Sequence, residues 1–269
     1  MATPREINRH MKSVGNIGKI TKAMKMVAAA RLRRAQEKAA ASRPYAIKIK
    51  EVLSNVVSDP SVLAGLDAKK HPLLQKREVQ KVGYLVLCSD KGLAGAYSSN
   101  ALKKAIAEIS ECEDEVVIIT CGRKARDFFT RRGFNVIQSH IGFSDRPTYE
   151  NAVAIAQDAI KTFASEGFDK LNIVYTIFKT ALSQIPTSEV ILPVEPPAKE
   201  DNKAQASFMF EPGEDETLKV LAPKYLETVV YAALVQSAAS ELGSRMTAMS
   251  SATDNAAKLV SSLQLSYNK

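Results

Sequence analysis

Apolar residues recur every three or four positions along both ends of the chain and in short continuous runs through its middle. Near the N-terminus, Ile7, Met11, Val14, Ile17, Ile20, Met24 and Val27 form one helical stripe. The stripe thins into Ala28, Ala29, Ala30, Ala35 and Ala39, then resumes at Ile47, Val52 and Val56. Thr3-Pro4-Arg5-Glu6 ahead of it is a helix start: Thr3 caps, Pro4 suits the first helical position and Glu6 closes a capping box. With Asp59-Pro60 as the stop, one helix of about 56 residues is predicted over 3–59, on the order of 85 Å long. Pro44 removes one backbone donor and is expected to bend this helix slightly without ending it.

A second long helix is predicted over 222–269, from Pro223 onward. Leu226, Val230, Leu234, Ala238 and Leu242 step by four. A three-four alternation follows, with Met246, Thr253, Val260 and Tyr267 in one heptad position and Met249, Ala256 and Leu263 in the other. Two striped helices at opposite ends of one chain predict an intramolecular antiparallel pair. The small residues Ala252, Thr253, Ala256 and Ala257 are expected to face Ala28 to Ala30 and to let the helices approach closely.

Between the helices the pattern alternates strand and helix. Strands are predicted at 82–88, 116–121, 135–138, 171–178 and 188–192, with helices at 98–110, 123–132 and 148–166 and a further edge strand at 208–210. The first two runs are apolar throughout, as strands buried on both faces are, so a largely parallel, Rossmann-like α/β sheet is predicted. The organisation is therefore a discontinuous coiled-coil shaft (1–60 and 215–269) around an α/β domain (61–214).

Charge changes this picture more than composition does. The chain of 269 residues carries +8 overall, yet residues 1–50 alone hold thirteen Lys and Arg against Glu6 and Glu37. A basic rod on a near-neutral body calls for an acidic partner: nucleic acid, anionic lipid or an acidic protein surface. At 45% hydrophobic residues there is enough apolar material for a core, and no run approaches the roughly 18–20 residues that cross a bilayer. Cys88, Cys112 and Cys121 form no CxxC motif, and His10, His71 and His140 are scattered, so neither a disulfide framework nor a metal site is expected. Ser89-Asp90-Lys91-Gly92-Leu93-Ala94-Gly95 follows the first strand, where nucleotide-binding folds place a phosphate loop, but it lacks both GxxxxGK[ST] and GxGxxG spacing. A glycine turn with a structural Asp is the expectation, and no catalytic residue or cofactor is predicted. A nucleic-acid-binding helix and a nucleotide-dependent α/β enzyme are the alternatives.

Three stretches carry a resemblance. They are Lys19-Ile20-Thr21-Lys22-Ala23-Met24-Lys25-Met26-Val27-Ala28, the 89–95 loop, and 240–256 with its core Gly243-Ser244-Arg245-Met246-Thr247-Ala248-Met249. Together they resemble the signatures of the gamma subunits of F-type ATP synthases, over essentially the whole chain and in order. The resemblance implies a central stalk inside a hexamer of alpha and beta subunits, with the α/β domain binding the epsilon subunit and the membrane c-ring. It implies that Met24 lies near an acidic loop of the beta subunit, that the partner-contact residues Lys19, Lys22, Lys25, Arg31, Arg33 and Arg34 face the same ring and that Arg245 lies close by on the other helix, while the heptad spacing makes Met246, Met249, Thr253, Ala256, Val260 and Leu263 the coiled-coil seam. It further implies no role for nucleic acid and an indirect attachment to the cytoplasmic face of a bacterial membrane. Against the family pattern, further helical turns beyond Lys269 and a chloroplast-type cysteine insertion are missing, so thiol switching is not expected.

Overall fold

The computed structural model describes residues 3–57, 71–194 and 213–268. In chain order these form α1 (Pro4–Val57), a 3-10 turn (Pro72–Leu74), β1 (Lys81–Leu87), α2 (Tyr97–Ser110), β2 (Glu115–Cys121), α3 (Arg123–Arg131), β3 (Val136–His140), α4 (Tyr149–Ala164), β4 (Lys170–Phe178), β5 (Gln184–Leu192) and α5 (Glu214–Tyr267). The Asp59-Pro60 stop and the edge strand at 208–210 lie outside the described residues. The remaining strands and helices fall where the sequence pattern puts them, within a residue or two, except that β5 starts four residues earlier and α5 eight residues earlier.

The strand order is β3-β2-β1-β4-β5, with β5 antiparallel to β4 and the other pairs parallel. Alternate residues of β1 go to opposite faces. Leu85 and Leu87 pack with Ala152, Ile155 and Phe163 of α4 and with Leu226, Val230 and Leu234 of α5. Val82, Tyr84 and Val86 pack with Ala101 and Ala105 of α2 and with Phe129 of α3. Both faces are therefore covered, which is why the strands read as unbroken apolar runs.

The lower half of α5 is buried nearly all round because it lies between the sheet and α1. Its polar side chains are matched to backbone: Ser240 Oγ donates to Thr176 O at 3.0 Å, while Gln236 Oε1 accepts from Phe178 N at 3.1 Å and Ser237 Oγ from Thr176 N at 3.3 Å. These bonds fasten the C-terminal end of β4 to the helix. α5 starts at Glu214, nine residues before Pro223, and runs through that proline. Burial of Leu218 and Ala222 under the domain holds the early turns, a tertiary effect that the local proline signal does not carry.

α1 starts as predicted. Glu6 Oε2 accepts from Thr3 N at 2.7 Å and Thr3 Oγ1 accepts from Glu6 N at 3.4 Å, so the two ends of the capping box satisfy each other. The helix is continuous through Pro44. Its seam, however, is not the expected stripe. Below Val14 the positions turned to α5 are Gly18, Thr21, Ala28, Leu32 and Ala35, and lower still Ile49 and Leu53, a four-three heptad series. Ile17, Ile20 and Val27 are instead 50%, 59% and 51% exposed, and Ile47 is exposed as well. Gly, Thr and Ala carry so little hydropathy that the neighbouring large residues masked the seam.

Along the predicted α5 heptad burial falls off toward the C-terminus, where Tyr267 is exposed. Met249 and Ala256 are buried and Met246, Thr253, Val260 and Leu263 half-buried. Thr21 Oγ1 and Thr253 Oγ1 share a hydrogen bond of 2.8 Å, and a methyl group at Gly18 would lie 3.4 Å from Ala256 Cβ. The small residues of α5 thus face Gly18 and Thr21 rather than Ala28 to Ala30, and Ala257 points to solvent. Lower down, Leu32 and Ala35 pack with Leu242 and Ala239.

Candidate functional site

The C-terminal ends of the strands point up the coil, and there two loops of the α/β domain meet both long helices. The 89–95 loop runs from β1 to α2. Its Asp90 accepts backbone N–H groups from Gly142 at 2.9 Å, Ser144 at 3.0 Å and Arg123 at 3.1 Å, and Ser144 Oγ accepts in return from Asp90 N at 2.9 Å. Burial alone would raise the Asp90 pKa, but these donors outweigh it and hold the carboxyl below its usual range. Asp90 is therefore the structural residue that the spacing suggested: it pins the loop after β3 to the loop after β1. Gly122, at φ 97°, allows the same junction, because a Cβ there would stand 2.2 Å from Cys88 O.

The loop is also fastened to α5. Ser244 Oγ donates to Ala94 O at 2.7 Å, and Arg245 Nη2 donates to Gly92 O at 3.3 Å and to Glu241 Oε1 at 2.7 Å. Glu241 is almost wholly buried. Burial pushes its pKa up, and the Arg245 guanidinium pulls it back only in part. Below it the Cys88 thiol is sealed off, its pKa pushed up to about 12 by burial, with the nearby Glu241 adding to the rise. Cys121 is likewise buried, with a raised pKa, so neither thiol is poised as a nucleophile.

Between α1, α5 and this loop lies an apolar cleft of about 520 Å³, lined among others by Ile20, Met24, Val27, Leu93, Leu242 and Arg245. The exposed stripe of α1 forms one lip and Leu93, held at φ 61°, the other. Of the basic residues singled out by sequence, Arg31 and Arg245 line this cleft, together with Lys91. Lys19, Lys22, Lys25, Arg33 and Arg34 are exposed, with Lys25 Nζ donating to Ser250 Oγ at 3.0 Å and Arg33 paired to Glu37 on the surface at 3.0 Å. Met24 is half-buried at the cleft. Arg31 turns inward to an ion pair with Asp145, and Arg245 is buried on Glu241. The structure brings Met24, Arg31 and Arg245 together at the cleft and leaves Lys19, Lys22, Lys25, Arg33 and Arg34 on exposed positions of α1, while sequence reasoning missed Asp145, Glu241 and the exposed Ile17, Ile20 and Val27. The signal for the last three lay in the four-three spacing of Gly18, Thr21 and Ala28, which leaves them outside the seam. Asp145 had no sequence signal of its own. Among the described residues no group of acidic, histidine and cysteine side chains is placed to hold a metal ion.

An antiparallel coil of the two chain ends, clasped by a doubly wound α/β domain, is the fold of a rotary central stalk. It is similar to the stalk in the solved central stalk and c-ring of Tetrahymena thermophila mitochondrial ATP synthase, at 23% identity and a TM-score of 0.66 over 87% of this chain and 99% of that one. A chain of the Euglena gracilis mitochondrial ATP synthase rotor is similar at 17% identity and a TM-score of 0.62, over 98% and 96% of the two chains. The chain belongs to the ATP synthase family, whose sequence description matches residues 3–269. Its relatives include the ATP synthase gamma chain of Brevibacillus brevis, 47% identical over 98% of this chain and 91% of that protein. That of Desulfitobacterium hafniense is 42% identical over 100% and 92%.

Proposed function

We propose that this chain is the central rotary stalk, the gamma subunit, of a bacterial F-type ATP synthase. In this reading the shaft (1–60 and 215–269) turns inside a hexamer of alpha and beta subunits. The α/β domain (61–214) sits below on the epsilon subunit and the c-ring, through which attachment to the cytoplasmic face of the membrane is indirect. No helix among the described residues is long and apolar enough to cross a membrane. Ion flow turns the ring, the ring turns the stalk, and the stalk moves the beta sites through their states. The chain supplies no catalytic group and no cofactor of its own.

The observation that carries the reading is the collar where the 89–95 loop and the two long helices meet: an apolar cleft whose lining includes Arg31, Lys91 and Arg245, on the side of the coil that faces the α/β domain, in a chain that matches gamma chains along its length. A shaft shifts a partner's equilibrium only if it binds the partner's states unequally. A one-sided collar does that, because at any angle one beta subunit meets the cleft and the others meet plain coil. Lys19, Lys22, Lys25, Arg33 and Arg34 supply the charge toward an acidic beta loop, Met24 the apolar contact, and Arg31 and Arg245 the inner wall.

The test is Mg-ATP hydrolysis by purified alpha and beta subunits with and without this chain, together with sizing of the mixture. One copy per hexamer and turnover raised at least about tenfold, a barrier change of about 1.4 kcal/mol, is expected. An inert mixture without complex would overturn the reading.

A further inference from the structure

The lower part of α1 is bound to the rest of the molecule by apolar packing, through Ile49 and Leu53. At the collar the situation is different, because α1 there packs on α5 and is separated from the α/β domain by the cleft. Two polar ties cross the gap. Arg31 forms an ion pair with Asp145, and Lys38 Nζ donates to Pro147 O at 3.4 Å. Both lead to the loop between β3 and α4.

Asp145 is the better placed of the two. Its side chain is only 11% exposed, and it draws in a second cation, Lys91 of the 89–95 loop, at 3.5 Å. The loop that carries it is fixed: Ser144 and Gly142 donate to Asp90, Asp90 accepts from Arg123 N at the start of α3, and Arg146 N closes a turn on Phe143 O at 2.9 Å. A continuous path of short bonds therefore runs from α3 through Asp90 and the 142–146 turn to Asp145, and across to Arg31. One carboxylate joins α1, the 89–95 loop and the 142–146 turn, beside the small apolar cluster of Leu32, Ala35, Ala239 and Leu242.

We propose that Asp145 is a positioning residue that clamps α1 to the α/β domain at the collar, so that torque entering through the domain turns α1 and α5 as one body. The proposal rests on the stalk reading and extends it to a residue held by Arg31 and Lys91 of this same chain. Without the clamp, α1 is held at this level by the packing of Leu32 and Ala35 on Leu242 and Ala239, and it yields when the collar is loaded. The clamp also sets Arg31 and Lys91 side by side at the mouth of the cleft.

The experiment uses the complete, membrane-reconstituted complex carrying Asp145→Ala, Asp145→Glu, Arg31→Ala, or Asp145→Ala with Arg31→Ala. It measures protons pumped per ATP hydrolysed and, with a bead fixed to the α/β domain of a stalled complex, the width of its angular fluctuation. Asp145→Ala is expected to assemble, to hydrolyse ATP within about twofold of wild type, to lose about half or more of its pumping per ATP and to broaden the angular distribution; Asp145→Glu recovers both, and Arg31→Ala adds little to Asp145→Ala, as members of one pair do. Should alanine impair assembly, Asp145→Asn, equal in size and uncharged, takes its place. Wild-type pumping and angular width in both neutral variants would overturn the clamp, as would fully additive losses. A wild-type chain that neither assembles nor stimulates hydrolysis would instead overturn the stalk reading.

Discussion

Asp90 decides a great deal for one side chain. Three backbone N–H groups converge on it, and each would be left short of a partner if the carboxylate were removed. Asp90→Ala is expected to destabilise the protein by about 2–3 kcal/mol at neutral pH, read from urea unfolding. The pH dependence follows from the depressed pKa. A carboxyl that is more acidic folded than unfolded stabilises the fold above its unfolded value, near 4, and loses that contribution as pH falls through the folded value. The gap between wild type and Asp90→Asn should therefore be largest from neutral pH down to about 5 and narrow below about 4. A gap that stays constant through that range would show that the carboxylate's charge is not what holds the loop.

The elements were legible in the sequence to different degrees, for physical reasons. Strands and helices of the middle domain carry their own periodicity, and in α5 Met246, Met249, Val260 and Leu263 mark the heptad on either side of the small Thr253 and Ala256. The α1 seam is built from Gly18, Thr21 and Ala28, and its apolar stripe serves a surface rather than a core. Hydropathy records how apolar a position is and not which body it touches, so a helix with two apolar faces is read by its larger one. The early turns of α5 were hidden for the opposite reason: only the domain above Leu218 makes them helical. If Gly18 sets the closeness of the coil, Gly18→Ala should be tolerated, since its methyl would lie 3.4 Å from Ala256. Gly18→Leu should cost about 1–3 kcal/mol locally, seen as lost amide-exchange protection around 249–256 while β1 and β4 stay protected. Equal protection in the two variants would mean that the helices can separate at no cost.

At the scale of the whole molecule, the cleft brings together what the sequence could only suggest separately: the Met24 motif, the 89–95 loop and the Arg245 motif. Their proximity depends on folding across more than 200 residues, and spacing alone does not reveal it. Met24→Lys places a fourth cation among Arg31, Lys91 and Arg245 in an apolar setting. Met24 is only half-buried, so the thermal midpoint should fall by a few degrees, equivalent to about 1 kcal/mol or less. ATP-driven pumping by the assembled complex should fall several-fold, because the added charge alters the face presented to the partner. Unchanged pumping with normal assembly would remove Met24 from the contact.

The pairing of α1 with α5 also dictates an order of events at the ribosome. Thr21 finds Thr253 only after 232 further residues have been made. At about 5–20 residues per second, the first helix waits on the order of 10–45 s as an unpaired basic rod. The domain between the two helices has time to form most of its sheet, but its core is incomplete until Leu226, Val230 and Leu234 arrive from α5 and Leu53 from α1. The last segment to emerge therefore completes both bodies at once, the sheet's lower layer and the coil. A nascent chain stalled before α5 would hold neither a finished domain nor a shaft, and its exposed cations and alanines would be the surface that chaperones meet first.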